Sequence, residues 1–382
     1  MEFITEQEML QLIKSVFPPH PDDHHLGILV DIPRDAALDT TAWKNRRQLA
    51  MEWHQTLKKL RASLHLDEIR LIAYPDVGSN NADLPDQAQV CEHRLPKDAQ
   101  ELAQAGELRS FLDVFVDTQI FLAPTQYSAT APLKVAARKF NFRAATMPGF
   151  SPAMIPALKL DYGEINRRVM LIKERLDRAQ GADVNFVVQG QDDFQIFFDL
   201  RHRTAHASTG RFPDKGTAGN LPSGEAYIVP YEGEGEEPSR TQGTLPVQVD
   251  DEVVLFNIRH NRAVDVEGRG KAAQKERDHL VREPAYGNMA ELGFGVLSDF
   301  GIRPTGSILL DEKLGFHIAF GRSEHFGGAV GPSDFSAPEE VIHLDRIYIP
   351  ATQPRVAVKS IVLLYAQNQG EMILENGKYL IF

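Results

Sequence analysis

Five residues in the second half of the chain, Glu225, Glu291, His317, His343 and Asp345, are of the types that hold divalent cations, three carboxylates and two imidazoles. Glu225 ends the run Asn220-Leu221-Pro222-Ser223-Gly224-Glu225, beside a turn and at the head of a strand-like stretch. Glu291 lies in Asn288-Met289-Ala290-Glu291-Leu292-Gly293-Phe294-Gly295, where its neighbours are apolar or glycine. Burying such a carboxylate is costly unless a cation neutralises it. His317 sits in Gly315-Phe316-His317-Ile318-Ala319-Phe320-Gly321, and His343 and Asp345 follow in Ile342-His343-Leu344-Asp345. Two residues apart in a strand, His343 and Asp345 point to the same face. The set contains no sulfur and suits Zn, Mn, Co or Fe(II). Three carboxylates can offset the charge of two divalent ions, and two adjacent ions activate a shared water and polarise a carbonyl.

The elements that must position these residues change character along the chain. The first part alternates helical and strand periods. Residues 6–16 read as a helix, His25–Pro33 as a buried strand, 42–64 as a long amphipathic helix and Ile69–Tyr74 as a strand. Phe111–Leu122 reads as a central strand, and Leu133–Phe140 and Tyr162–Gln180 as helices. Strands alternating with helices imply an α/β domain with a parallel sheet. Beyond about residue 181 short strands follow one another between Gly, Pro and Asp turns, and Glu232–Gln242 is an acidic loop. The expectation is an α/β domain over 1–181 and an α+β domain over 182–382, the second with a largely antiparallel sheet that carries the site.

Composition narrows the function classes. The chain has 382 residues, 42% of them hydrophobic and 25% charged, as in an ordinary globular protein. Lys plus Arg number 41 against 53 Asp plus Glu, a net charge of −12, which disfavours nucleic acid and anionic lipid as partners. No apolar run is long enough to span a bilayer, and the N-terminus lacks the pattern of a signal peptide. A cytoplasmic protein is expected. Cys91 is the single cysteine, so a metal centre here is built from oxygen and nitrogen.

A second histidine group, Pro19-His20-Pro21-Asp22-Asp23-His24-His25, resembles the His-Pro-Asp-Asp zinc motif of deacetylases acting on N-acetylglucosamine derivatives. It precedes a strand instead of following one, and the rest of that pattern is missing. It reads as a solvated loop.

The segments AGNLPSGE, NMAELGFG, LLDEKLGFHIAFGRS and HLD, in that order, resemble the motifs of the M29 metallo-aminopeptidases, the aminopeptidase T and aminopeptidase S group. The likeness covers about residues 185–350; the first half matches as a generic α/β domain. It implies a homodimeric enzyme that removes N-terminal residues from peptides with a free N-terminus at a centre of two divalent ions (Zn, Co, Mn or Mg). By position it places Glu225, Glu291, His317, His343 and Asp345 on the metal ligands, with Glu291 as the bridging carboxylate. The family also uses a tyrosine just after the HIA-G-S run. Here that segment, Gly321-Arg322-Ser323-Glu324-His325-Phe326-Gly327-Gly328, has none. Glu324 falls nearest its position and His325 is next, so these two join Glu291 as candidate catalytic groups. Asp311-Glu312-Lys313 belongs to the same pattern but also reads as a charged turn.

Two other functions compete. The 2,5-dihydroxypyridine dioxygenases look like relatives of this family and would use His317, His343 and Asp345 around one Fe(II). A degenerate member would bind metal or peptide without turnover.

Overall fold

The computed structural model describes residues 3–92, 94–189 and 193–382. The chain divides into two compact units, Met1–Asn166 with Ser208–Ser223, and Arg167–Ala207 with Gly224–Phe382. Among the described residues no helix is long and apolar enough to cross a membrane.

The first unit is built on a seven-stranded sheet, in the order Thr217–Asn220, Arg143–Thr146, Ile120–Ala123, His25–Ile32, Glu68–Pro75, Gln87–Cys91, Gly106–Ser110. The first five run parallel to one another, and the last two add an antiparallel edge. His25–Ile32 is buried from Leu26 onward, the continuous apolar run of a strand covered on both faces. The helix Glu6–Val16 starts at a capping box in which Thr5 and Glu8 satisfy each other's backbone donors.

Phe111–Leu122 is not one strand. It is a helix, Phe111–Asp117, followed by the strand Ile120–Ala123. The Ser110 hydroxyl accepts from the Asp113 amide at 3.0 Å and caps the helix. Phe111, Val114 and Phe115 then share one helical face. The same spacing reads as a buried strand in sequence, and the cap decides it. Phe115 packs against Phe111, Phe121, Phe140 and Phe142 at ring distances of 5.2 to 5.9 Å.

The second unit contains an eight-stranded and a five-stranded sheet. The larger is antiparallel in all its described pairings. The smaller holds the strands His343–Ile347, Phe316–Gly321, Met289–Gly295, Glu225–Ile228 and His206–Ser208 in that order. One face of this smaller sheet carries Leu292, Phe294, Ile318 and Phe320, all fully buried. Phe320 meets Phe256 of the larger sheet at 5.0 Å, so this face is the core between two sheets. The candidate site lies on the other face.

Candidate metal centre

Strand alternation and register place the site residues. Glu225 stands opposite Gly295, and Tyr227 opposite Gly293. Gly293 faces His317 and Glu291 faces Ala319. Ala319 in turn faces Asp345, and Gly321 faces His343. Residues directly opposite share a face. One face therefore carries Glu225, Tyr227, Glu291, His317, His343 and Asp345, interleaved with Gly293, Gly295, Ala319 and Gly321. The small residues leave room for the large ones. A Cβ on Gly293 would lie 1.9 Å from the His317 Nε2, so the imidazole occupies the space the glycine leaves.

The side chains converge. Glu291 Oε1 lies 3.5 Å from His317 Nε2, and its other oxygen, Oε2, lies 3.2 Å from His343 Nε2. Glu225 Oε2 is 3.7 Å from His317 Nε2, and Asp345 Oδ1 is 3.6 Å from His343 Nε2. Three groups of potential ligand atoms within 4.8 Å of one another result: Glu225, Glu291 and His317; Glu291, His343 and Asp345; Glu312, His317 and Asp345. Glu291 belongs to the first two. His317 and His343 fall into different groups.

The tautomer of His343 is set from behind. Its Nδ1 donates to the Arg322 carbonyl at 2.7 Å, which turns Nε2 into the cluster, where it can carry a proton or, in the neutral ring, offer its lone pair to a cation. His317 has the Gly315 carbonyl on its Nδ1 side at a longer 3.5 Å.

Electrostatics report a crowded anionic pocket. Burial alone would raise the Glu291 pKa, but His317 and His343 hold it far below the usual carboxylate range. Burial opposes protonation of His317, yet Glu291 and Glu225 push its pKa up to about 9. His343 is raised well above normal against burial by Asp345 and Glu291, and Asp345 is lowered against burial by His343. The imidazolium protons act as internal counter-ions wherever no other cation is present.

Sequence reasoning singled out five cluster members and left two in doubt. Glu312 and Lys313 do not form a solvated turn. Both belong to the cluster. Lys313, 1% exposed, donates to Glu225 Oε1 at 2.5 Å and pairs with the Glu312 carboxylate. Burial pushes Glu312 up to about 8, although Lys313 opposes this. The signal was present in Asp311-Glu312-Lys313, three charges separated by only two residues from a fully buried strand. Asp311 instead accepts from the Thr305 and Gly306 amides at 2.8 and 2.9 Å and shapes the preceding loop.

Glu324 and His325 lie outside the three groups. Arg322 grips both Glu324 oxygens at 2.7 and 2.8 Å and keeps its carboxyl below the usual range. The His325 ring meets the His343 ring edge-on at 5.2 Å, and burial pushes its pKa down to about 4, so it is neutral at pH 7. This segment has an anchor that the sequence did not reveal. Glu232, at the start of the acidic loop, is buried and accepts from Asn288 Nδ2 and Ser323 Oγ, each at 2.6 Å, and from the Ala329 amide.

The donor set fits a divalent cation. Glu225 Oε2 is buried without a hydrogen-bond partner, an arrangement that costs on the order of 1–3 kcal/mol or more unless a ligand supplies the missing interaction.

No known sequence family matches the chain. No curated protein matches it either. Solved structures do. The 2,5-dihydroxypyridine dioxygenase from Pseudomonas putida KT2440 aligns over 99% of this chain and 98% of its own, with a TM-score of 0.59 and 11% identity. The wild-type AmpT from Thermus thermophilus aligns over 98% of both chains, with a TM-score of 0.48 and 13% identity. The first of these shows a shared fold over the whole chain.

Proposed function

We propose that this protein is a metal-dependent aminopeptidase that hydrolyses the N-terminal bond of a peptide, with Glu291 shared between the two sets of residues that would hold two divalent ions. The observation that carries the reading is the division of Glu291 between two ligand groups, Oε1 beside His317 and Oε2 beside His343. Glu225, Glu291 and His317 would hold one ion, and Glu291, His343 and Asp345 the other. Two such ions lower the pKa of a water and polarise a carbonyl. The resemblance to M29 aminopeptidases supplies the reaction class.

The chain's own residues do the rest. Glu291 fixes the spacing of the two ligand groups. The Arg322 carbonyl orients His343. His325, whose ring meets His343 edge-on, is the group we assign to take a proton from the attacking water. Glu324, 3.6 Å from His325 Nδ1 and clamped by Arg322, positions that imidazole. Substrate with a free N-terminus, the homodimer and the cytoplasmic setting belong to the same reading.

The test is metal content and turnover together. Purified protein loaded with Zn, Co, Mn or Mg should hold about two ions per chain and cleave aminoacyl anilides and dipeptides. One ion per chain and no cleavage would overturn the proposal.

A second reading keeps the site and changes the reaction. Lys313 already neutralises Glu225, which weakens the demand for a second ion. With His317, His343 and Asp345 around one Fe(II), the chain would be a ring-cleaving dioxygenase. We rank this reading second, since Glu225 and Glu291 lie beside the same imidazoles and a single-iron triad has no need of them. Oxygen uptake with an aromatic diol and Fe(II) would promote it, and one ion with neither activity would mark a non-catalytic binder.

A further inference from the structure

The segment 321–328 lacks the tyrosine that the resemblance leads one to expect, but a phenol reaches the same face from another strand. Tyr227 is two residues beyond Glu225 and stands opposite Gly293, which stands opposite His317. The His317 imidazole fills the gap over Gly293, so phenol and imidazole are neighbours in one cross-strand row. The ring is held on its flanks: His206 stacks on it at 5.1 Å and Phe326 packs against it at 4.8 Å. The hydroxyl makes no hydrogen bond to any described residue.

The Tyr227 hydroxyl is a neutral donor on a face that carries three carboxylates. Ionised Glu225, Glu291 and Asp345 are acceptors, and the His343 Nδ1–H is engaged by the Arg322 carbonyl. The Lys313 ammonium lies between Glu225 and Glu312, and Arg322 is clamped on Glu324. A carbonyl oxygen that gains negative charge during hydrolysis needs a donor, and such donors are among the strongest single contributions to acyl-transfer catalysis.

We propose that Tyr227 is a catalytic residue whose hydroxyl donates a hydrogen bond to the carbonyl oxygen of the scissile peptide bond as that oxygen becomes negatively charged. The assignment rests on the hydrolytic reading above. In the step, the water oxygen bonds to the carbonyl carbon and one water proton passes to His325. The carbonyl π pair moves onto oxygen, where Tyr227 O–H meets it. When that pair returns, the C–N bond breaks and the proton leaves His325 with the amine. Tyr227 ends the cycle unchanged.

The experiment compares the full-length, metal-loaded chain with Tyr227→Phe, which keeps the stacked ring and removes the hydroxyl. The expected result is unchanged metal content and KM, with kcat lower by about 10²-fold. A phosphonate dipeptide analogue, tetrahedral and anionic at the reacting centre, should bind the variant at least about tenfold more weakly by calorimetry. Equal kcat and equal analogue affinity would overturn the assignment, as would loss of metal from the variant, which would make the phenol a ligand. If the wild-type chain turns over no peptide with any of the four metals, the hydrolytic reading fails by itself. The analogue comparison then still reads Tyr227, because it needs a loaded site and no turnover; equal affinity, or no binding by the wild-type chain, counts against it.

Discussion

The molecule contains two clusters of histidines and carboxylates, made from the same residue types in opposite physical settings. In the first unit, His20, His24 and His25 pair with Asp22, Asp67 and Asp117 on partly or largely exposed side chains. The buried carboxylate there, Asp23, meets Arg143 at 2.5 Å, one anion to one cation, and Arg143 also donates to the Pro18 and Phe212 carbonyls. In the second unit, Glu225, Glu291 and Glu312 share a pocket with Asp345 and two imidazoles, against the single ammonium of Lys313. The first cluster couples its one buried acid to one buried guanidinium, a pairing that serves the fold. The second balances its acids only while both imidazoles are protonated, and a divalent cation can take the place of those protons.

The largest break in this comparison is expected from Glu291→Gln. An amide of the same shape keeps the packing but removes the shared charge of both ligand groups, so metal content should fall below about one ion per chain and turnover should be lost. Metal analysis and anilide hydrolysis measure it; full retention of two ions would deny Glu291 its bridging place. The matching change in the other cluster is Asp23→Ala. It leaves Arg143, which is 0% exposed, without its counter-ion, a loss of about 3–5 kcal/mol by chemical denaturation, with metal content per folded chain unchanged.

How far the sequence revealed these two clusters follows from what it encodes locally. His343 and Asp345 were legible as a same-face pair because strand alternation is a rule of spacing. Glu291 was legible because an acid among apolar residues needs a reason. The role of Gly293 was not, since it depends on register with the Phe316–Gly321 strand. Glu232 was read as part of an acidic loop, because its partners Asn288, Ser323 and Ala329 arrive from distant positions. Tyr227 was hidden for the same reason. In the first unit the alternation of helix and strand was visible, but the antiparallel edge and the helix Phe111–Asp117 were not. An apolar run fits either state until its cap and contacts are known.

pH sharpens the contrast without mutation. His317, raised to about 9 in the folded chain, stabilises the metal-free protein fully below its unfolded value of about 6.5 and loses that contribution as pH rises through about 9. Glu312, raised from 4.5 to about 8 by burial, acts in the same direction: folding favours its neutral form, so stability falls as pH rises above about 4.5, and that fall is complete once pH passes about 8. Metal-free protein should therefore melt at lower temperature near pH 9.5 than near pH 6.5. Metal-loaded protein should show a smaller decline, since its imidazoles bind the ion as neutral groups. Parallel curves for the two forms would contradict the coupling.

The smallest effect is expected where the sequence looks most like a metal motif. His24 is more than half exposed, and its bond to Asp67 Oδ2, at 2.9 Å, is that of a surface pair. Such pairs contribute about 0–1 kcal/mol, and solvent screens them. His20 contributes its backbone amide to Asp23, which any residue except proline supplies. Replacing His20 and His24 together by Asn should therefore shift stability by less than about 1 kcal/mol and leave metal content and activity unchanged. Loss of a bound ion from this double variant would show that the first cluster also binds metal, and the division between an exposed and a buried cluster would no longer separate fold from function.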